Sequence, residues 1–346
     1  METLKAELDI ESNDFRIVAI HGLGGSGKTT IAKAIYNRVF NLFEGSSFLE
    51  NVSKSLTDDH VIKLQNKLLH EILRNGSLKL GSKSRGIEVI KKRCSHKKIL
   101  LILDDVDDSN HIENLLGKCN WFAPGSRLVI TTKDKHVPAS LGQVFSIHRI
   151  MDLDQHEALQ LFSLHAFHRK EPKASYLQLA KQIIRYASGF PLSLEVIGSY
   201  LCGRDMHQWK EALEKYERSP EEKIFRTLKI SYEGLVEGDK AIFLDIACFF
   251  NGLDKDYVVN ILKACGLFPE LGIQNLIDKC LITVDPYNIL SMHDLIQQMG
   301  REVVREESTE MPENRSRLWD HQDILKLLRG NMVLVLVLNF FPFLPS

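Results

Sequence analysis

Gly22-Leu23-Gly24-Gly25-Ser26-Gly27-Lys28-Thr29 matches G-x-x-x-x-G-K-[ST] in full. Residues 15–20 before it (Phe-Arg-Ile-Val-Ala-Ile) read as a buried strand. Residues 30–40 after it place Ile31, Ala34, Ile35 and Val39 on one helical face. Strand, glycine loop and helix together make a phosphate-binding loop. Glycines let the backbone wrap an anion without a Cβ in the way. The amide N–H groups and the helix start then point at it. Gly22, Gly24, Gly25, Ser26, Gly27, Lys28, Thr29 and Thr30 are the candidate nucleotide-binding set. Lys28 supplies a point charge for the β- and γ-phosphates, and Thr29 a hydroxyl for Mg²⁺.

Such a loop needs an acidic partner. Lys97-Lys98-Ile99-Leu100-Leu101-Ile102-Leu103-Asp104-Asp105 provides it. Five consecutive apolar residues read as a strand buried on both faces of a parallel sheet. The carboxylates then emerge at its C-terminal end, where open α/β sheets bind ligands. Asp104 is expected to hold Mg²⁺ through water, and Asp105 to position the attacking water. Residues 46–52, 125–133 and 144–150 read as further strands, and 61–73 and 87–93 as helices, with a loop at 75–86. Strands alternating with helices predict a parallel α/β sheet over residues 1–150.

After residue 150 the pattern is helical. Asp154-Gln155-His156-Glu157 has capping-box spacing. Gly189-Phe190-Pro191 breaks one helix and starts the next. Residues 151–222 form a small helical bundle in this reading. Residues 223–331 hold more helices, two short β segments at 281–284 and 288–290, and an amphipathic helix over 293–305, a winged-helix-like order. The apolar run over 332–341 is far shorter than the ~20 residues a spanning helix needs. It is expected to be a truncated or aberrantly spliced end within a disordered 332–346 tail.

Among 346 residues, 44% are hydrophobic and 26% charged, with a formal net charge of −1. Nothing global draws such a chain to nucleic acid or to an anionic membrane. The cysteines at 94, 119, 202, 248, 265 and 280 form no CxxC pair, which fits a reducing compartment. The charged N-terminus is no signal peptide. Cytosol or nucleus is the expected location.

Seven motifs in order now carry a resemblance: GLGGSGKTT (22–30), FLENV (48–52), KKILLILDDVDD (97–108), GSRLVITTKDKHV (125–137), GFPLSLEVIGSYL (189–201), FLDIACFF (243–250) and MHDLIQQMG (292–300). From about residue 1 to 331 the chain resembles the NB-ARC region of plant disease-resistance proteins with leucine-rich repeats. Asp107 and the FLDIACFF form point to the class with a TIR domain. Neither a TIR domain nor leucine-rich repeats are seen in this sequence.

The resemblance implies a P-loop NTPase sheet, a helical ARC1 and a winged-helix ARC2, forming an ADP/ATP switch with Mg²⁺ in innate immune signalling. ADP marks the resting state and ATP the active one. Pro191 is implied near the adenine, and His293 at the β-phosphate of ADP. Asp294 is expected to hold the Met292-His293-Asp294 turn by accepting backbone N–H bonds at the helix start. Lys133 stands where the family has an arginine that senses the γ-phosphate. It keeps the charge and loses the bidentate fork. Asp105 is one methylene shorter than the glutamate of fast relatives, so ATP hydrolysis is expected to be slow at most. Competing readings are a turnover ATPase or nucleotide kinase, and a non-catalytic adaptor that binds full-length receptors. Implied partners are nucleotide and other immune receptors or further copies of the chain.

Overall fold

The computed structural model describes residues 2–54, 57–73, 80–141 and 145–329; the apolar run over 332–341 lies outside them. The chain divides into two units. One is Met1–Asp152 with Asp278–Cys280, and the other holds Leu153–Ile277 and the described residues from Leu281 on.

The first unit is a five-stranded parallel sheet. Its strands are β1 (Arg16–His21), β2 (Gly45–Leu49), β3 (Ile99–Leu103), β4 (Arg127–Thr132) and β5 (Phe145–Arg149), in the order β2-β3-β4-β1-β5. Its helices are α1 (Glu2–Leu8), α2 (Lys28–Val39), α3 (Asp58–Leu73), α4 (Lys83–Cys94), α5 (Ser109–Leu116) and the short α6 (His136–Ala139). The all-apolar β3 is buried along its whole length. Side chains alternate across a strand. Ile99, Leu101 and Leu103 therefore join one core with Leu68 of α3, Ile90 of α4 and Leu115 of α5. Leu100 and Ile102 join the other, with Leu4 of α1 and Ile35 of α2. Helix α4 starts inside the expected 75–86 loop because Ser82 Oγ accepts from the Arg85 N–H (3.4 Å) and starts the turn early.

The polar turn after α1 is tied down by a group that its composition does not reveal. Arg127, wholly buried at the start of β4, donates to the carbonyls of Leu8, Asp9, Ser12 and Asp14. Five N–H donors in one rigid plane let a single guanidinium satisfy a whole turn of backbone.

The second unit is helical, with one small hairpin. Helices α7 (Gln155–Phe167), α8 (Leu177–Ala187), α9 (Pro191–Leu201) and α10 (Met206–Arg218) come first. The expected capping box is present: Asp154 accepts from His156 N and Glu157 N, and Glu157 reaches back to Asp154 N. Trp209 of α10 is buried against Phe162, Phe167 and Tyr176, and its indole N–H donates to Leu201 O (3.0 Å). Next are α11 (Glu222–Glu233), α12 (Glu237–Asp245), a π-helical turn (Ile246–Phe250), α13 (Lys255–Ala264) and α14 (Pro269–Asp278). Then come β6 (Thr283–Val284) paired antiparallel with β7 (Leu290–Ser291), α15 (Asp294–Glu307) and α16 (His321–Arg329). Strand β6 falls within the first expected β segment, and β7 overlaps the end of the second and runs one residue past it. No helix among the described residues is long and apolar enough to cross a membrane.

Candidate functional site

Parallel strands put all their C-terminal ends on one edge. The glycine loop leaves β1 there, Asp104 leaves β3, and Lys133 leaves β4, which lies between them in the sheet. With strands ~4.8 Å apart, the ends of β1 and β3 lie about two strand spacings from each other. The inserted β4 supplies the connection. Thr131 Oγ donates to Asp104 Oδ1 (2.6 Å) and accepts from Asp105 N (2.8 Å).

The loop has the shape its glycines allow. Gly27 caps α2 at φ 91°, a backbone conformation that costs other residues energy. Ser26 is buried, and its Oγ has no hydrogen-bond partner. A Cβ added to Gly22 would lie 2.8 Å from that oxygen. A buried orphan hydroxyl inside a glycine cradle is a group that an anion's oxygens would satisfy. Lys28 is only 7% exposed and donates to the carbonyls of Gly22 (2.8 Å) and Leu23 (2.7 Å). Burial, and then the nearby charge of Lys133, push its pKa down to about 8. Two cations thus converge where phosphates are expected.

Thr29 Oγ donates to both carboxylate oxygens of Asp104 (2.9 and 3.0 Å). One hydroxyl beside one buried carboxylate suits Mg²⁺, which keeps its waters and takes few protein ligands. The described residues contain no cluster of three or more His, Cys, Asp or Glu side chains fit to hold a metal by themselves. Thr30 follows on α2 and is exposed.

Asp105 sits at φ 62°, in the left-handed region. Its Oδ2 accepts from Ser53 Oγ (2.7 Å), its carbonyl accepts from Ser53 N (2.8 Å), and its Oδ1 lies 3.8 Å from Lys133 Nζ. Ser53 and Thr131 were not singled out from the sequence. Their signal was position alone: Ser53 follows FLENV directly, and Thr131 stands two residues before Lys133.

Pro191 and His293 belong to the second unit. Pro191 opens α9 at its first turn. The ring of His293 lies 5.7 Å from that of Phe190, and its Nε2 is 3.3 Å from Ser188 O. The helix-start reading of Asp294 needs correction. The cap of α15 is His293, whose Nδ1 accepts from Leu295 N (3.1 Å). Asp294 is already inside the helix and turns its carboxylate outward, where Oδ2 accepts from Ser188 Oγ (2.7 Å). His293 takes the amides at the helix start, Leu295 N with its ring and Ile296 N and Gln297 N with its carbonyl, so none of the three is left for the Asp294 carboxylate.

Residues 1–172 match the NB-ARC domain model, and residues 236–308 match the winged-helix domain of Roq1-like disease resistance proteins. The chain is 46% identical over 322 residues to disease resistance protein RUN1 of Vitis rotundifolia, covering 93% of this chain and 24% of that protein. It is 38% identical over 338 residues to TMV resistance protein N of Nicotiana glutinosa, covering 96% and 29% respectively. The chain therefore spans about a quarter of the length of these relatives. Among solved structures, a Walker-type ATPase of Pyrococcus abyssi shares the fold at a TM-score of 0.59 and 13% identity, over 87% of this chain and 94% of that one. Glycine loop, strand order, hairpin and these matches agree: the chain belongs to the NB-ARC family of plant disease-resistance proteins.

Proposed function

We propose that this chain is the nucleotide-operated switch of a plant immune receptor, with ADP in the resting state, ATP in the active state, and slow hydrolysis at most. The division into 1–150, ARC1 at 151–222 and ARC2 at 223–331 is part of this reading, as are the adenine-side role of Pro191, the β-phosphate role of His293 and a location in the cytosol or nucleus. One observation carries it furthest: Asp105, the residue expected to position the attacking water, is already engaged by Ser53 on one oxygen and faces Lys133 with the other. A carboxylate so occupied is a poor holder of water, which suits a switch that stays loaded. Lys28 would neutralise and orient the phosphates, and the loop amides would bind their oxygens. Mg²⁺, held by Thr29 and through water by Asp104, would add charge neutralisation when bound. The test is nucleotide extracted from the purified protein, together with steady-state turnover. ADP retained at near one per chain, with turnover far below ~1 s⁻¹, is the expected result. Fast turnover with nothing retained would instead make the chain a working ATPase.

A further inference from the structure

Ser188 ends helix α8 with φ 48° and ψ 36°. A left-handed conformation suits glycine or asparagine there and strains serine. Strain of this kind persists where the surroundings over-determine it. The surroundings of Ser188 are the start of α15. Its Oγ lies 2.7 Å from Asp294 Oδ2 and 3.1 Å from Arg185 O. A hydroxyl has one proton, and the short, charge-assisted bond to the carboxylate takes it. Its carbonyl lies 3.3 Å from His293 Nε2. Since His293 Nδ1 accepts from Leu295 N, the ring proton is on Nε2 and is donated to Ser188. One residue thus grips both polar side chains of the Met292-His293-Asp294 turn.

We propose that Ser188 is the positioning residue of that turn: its hydroxyl and carbonyl together set where His293 sits, and the contribution of Asp294 is this bond. The geometry is contained within the second unit. Its consequence for nucleotide rests on the switch reading above.

Ser188→Gly separates the brace from stability. It removes the hydroxyl, keeps the carbonyl and relieves the left-handed strain, so the thermal midpoint should hold or rise. The amides of Leu295, Ile296 and Gln297 all bond to His293 and report its placement. In Ser188→Gly they should exchange with solvent about tenfold faster, while amides in the middle of α8 stay as protected as before. ADP release, followed with a fluorescent analogue, should quicken by a similar factor. Adding Asp294→Ala should then change little more, because both substitutions remove the same bond. Unchanged exchange at those three amides overturns the proposal, as does full additivity of the two substitutions. If the unaltered protein retains no ADP, the switch reading fails, and the exchange measurement still decides the brace.

Discussion

Lys28 is a buried ammonium beside a second cation, and its pKa is brought down to about 8 for that reason. Its charge is nearly complete a unit below that value, about half gone at it and lost as pH rises further. Phosphate binding requires the charge, so ADP affinity should be flat up to about pH 8 and then fall by up to ~tenfold per pH unit until the bound-state pKa is reached. Titrations between pH 7 and 9.5 check this, and Lys28→Arg, which stays charged, should flatten the profile. Lys28→Ala should abolish ADP retention. Ser53 acts on Asp105 through two bonds. The hydroxyl's bond keeps one oxygen of Asp105 from the attacking water, so Ser53→Ala should raise single-turnover hydrolysis several-fold without changing ATP affinity. Lys133→Arg should tighten ATP over ADP by several-fold, since the guanidinium fork grips a phosphate at two points. An unchanged ratio of affinities would remove Lys133 from the γ-phosphate.

At the scale of elements, the π-turn at Ile246–Phe250 has a specific consequence. Its wider winding leaves the Ala247 carbonyl free for α15, where Gln297 Nε2 (3.0 Å) and Arg301 Nε (3.2 Å) donate to it. The next residue, Asn251, accepts from Met292 N (2.9 Å) and so holds the strand end ahead of His293. Gly300 lets the two elements meet: a Cβ there would lie 2.7 Å from Ala247 Cβ and 3.0 Å from the Phe243 ring. Gly300→Ala should therefore destabilise the protein by ~1–3 kcal/mol despite alanine's better helix propensity. Denaturant unfolding measures it. A gain in stability would show that α15 slides freely on the turn.

At the scale of the molecule, single residues join distant parts of each unit. Arg127 binds backbone more than a hundred positions earlier in the chain. Arg127→Lys keeps the charge but offers one ammonium for four carbonyls. It should cost ~2–4 kcal/mol and expose residues 8–14 to protease. Cleavage there at the unaltered rate would mean that α1 and its apolar contacts suffice. The chain spans about a quarter of its relatives' length, so the protein tested should be this chain and its variants side by side.

The sequence alone determined what depends on local chemistry. The glycine loop, the all-apolar strand ending in Asp104 and Asp105, the capping box at Asp154 and the proline that opens α9 each have a physical cause within a few residues. Those causes act whatever the rest of the chain does. Tertiary structure decided what depends on partners far apart in the chain. That β4 lies between β1 and β3 is a matter of pairing, and it alone brings Thr131 to Asp104 and Asp105. Serines 53 and 188 look like ordinary loop residues until folding sets an acid opposite each. Asp294 looks like a cap until His293 is seen to take the amides at the helix start. A hydroxyl's role is set by the group it faces, and spacing along the chain does not carry that information across a hundred residues.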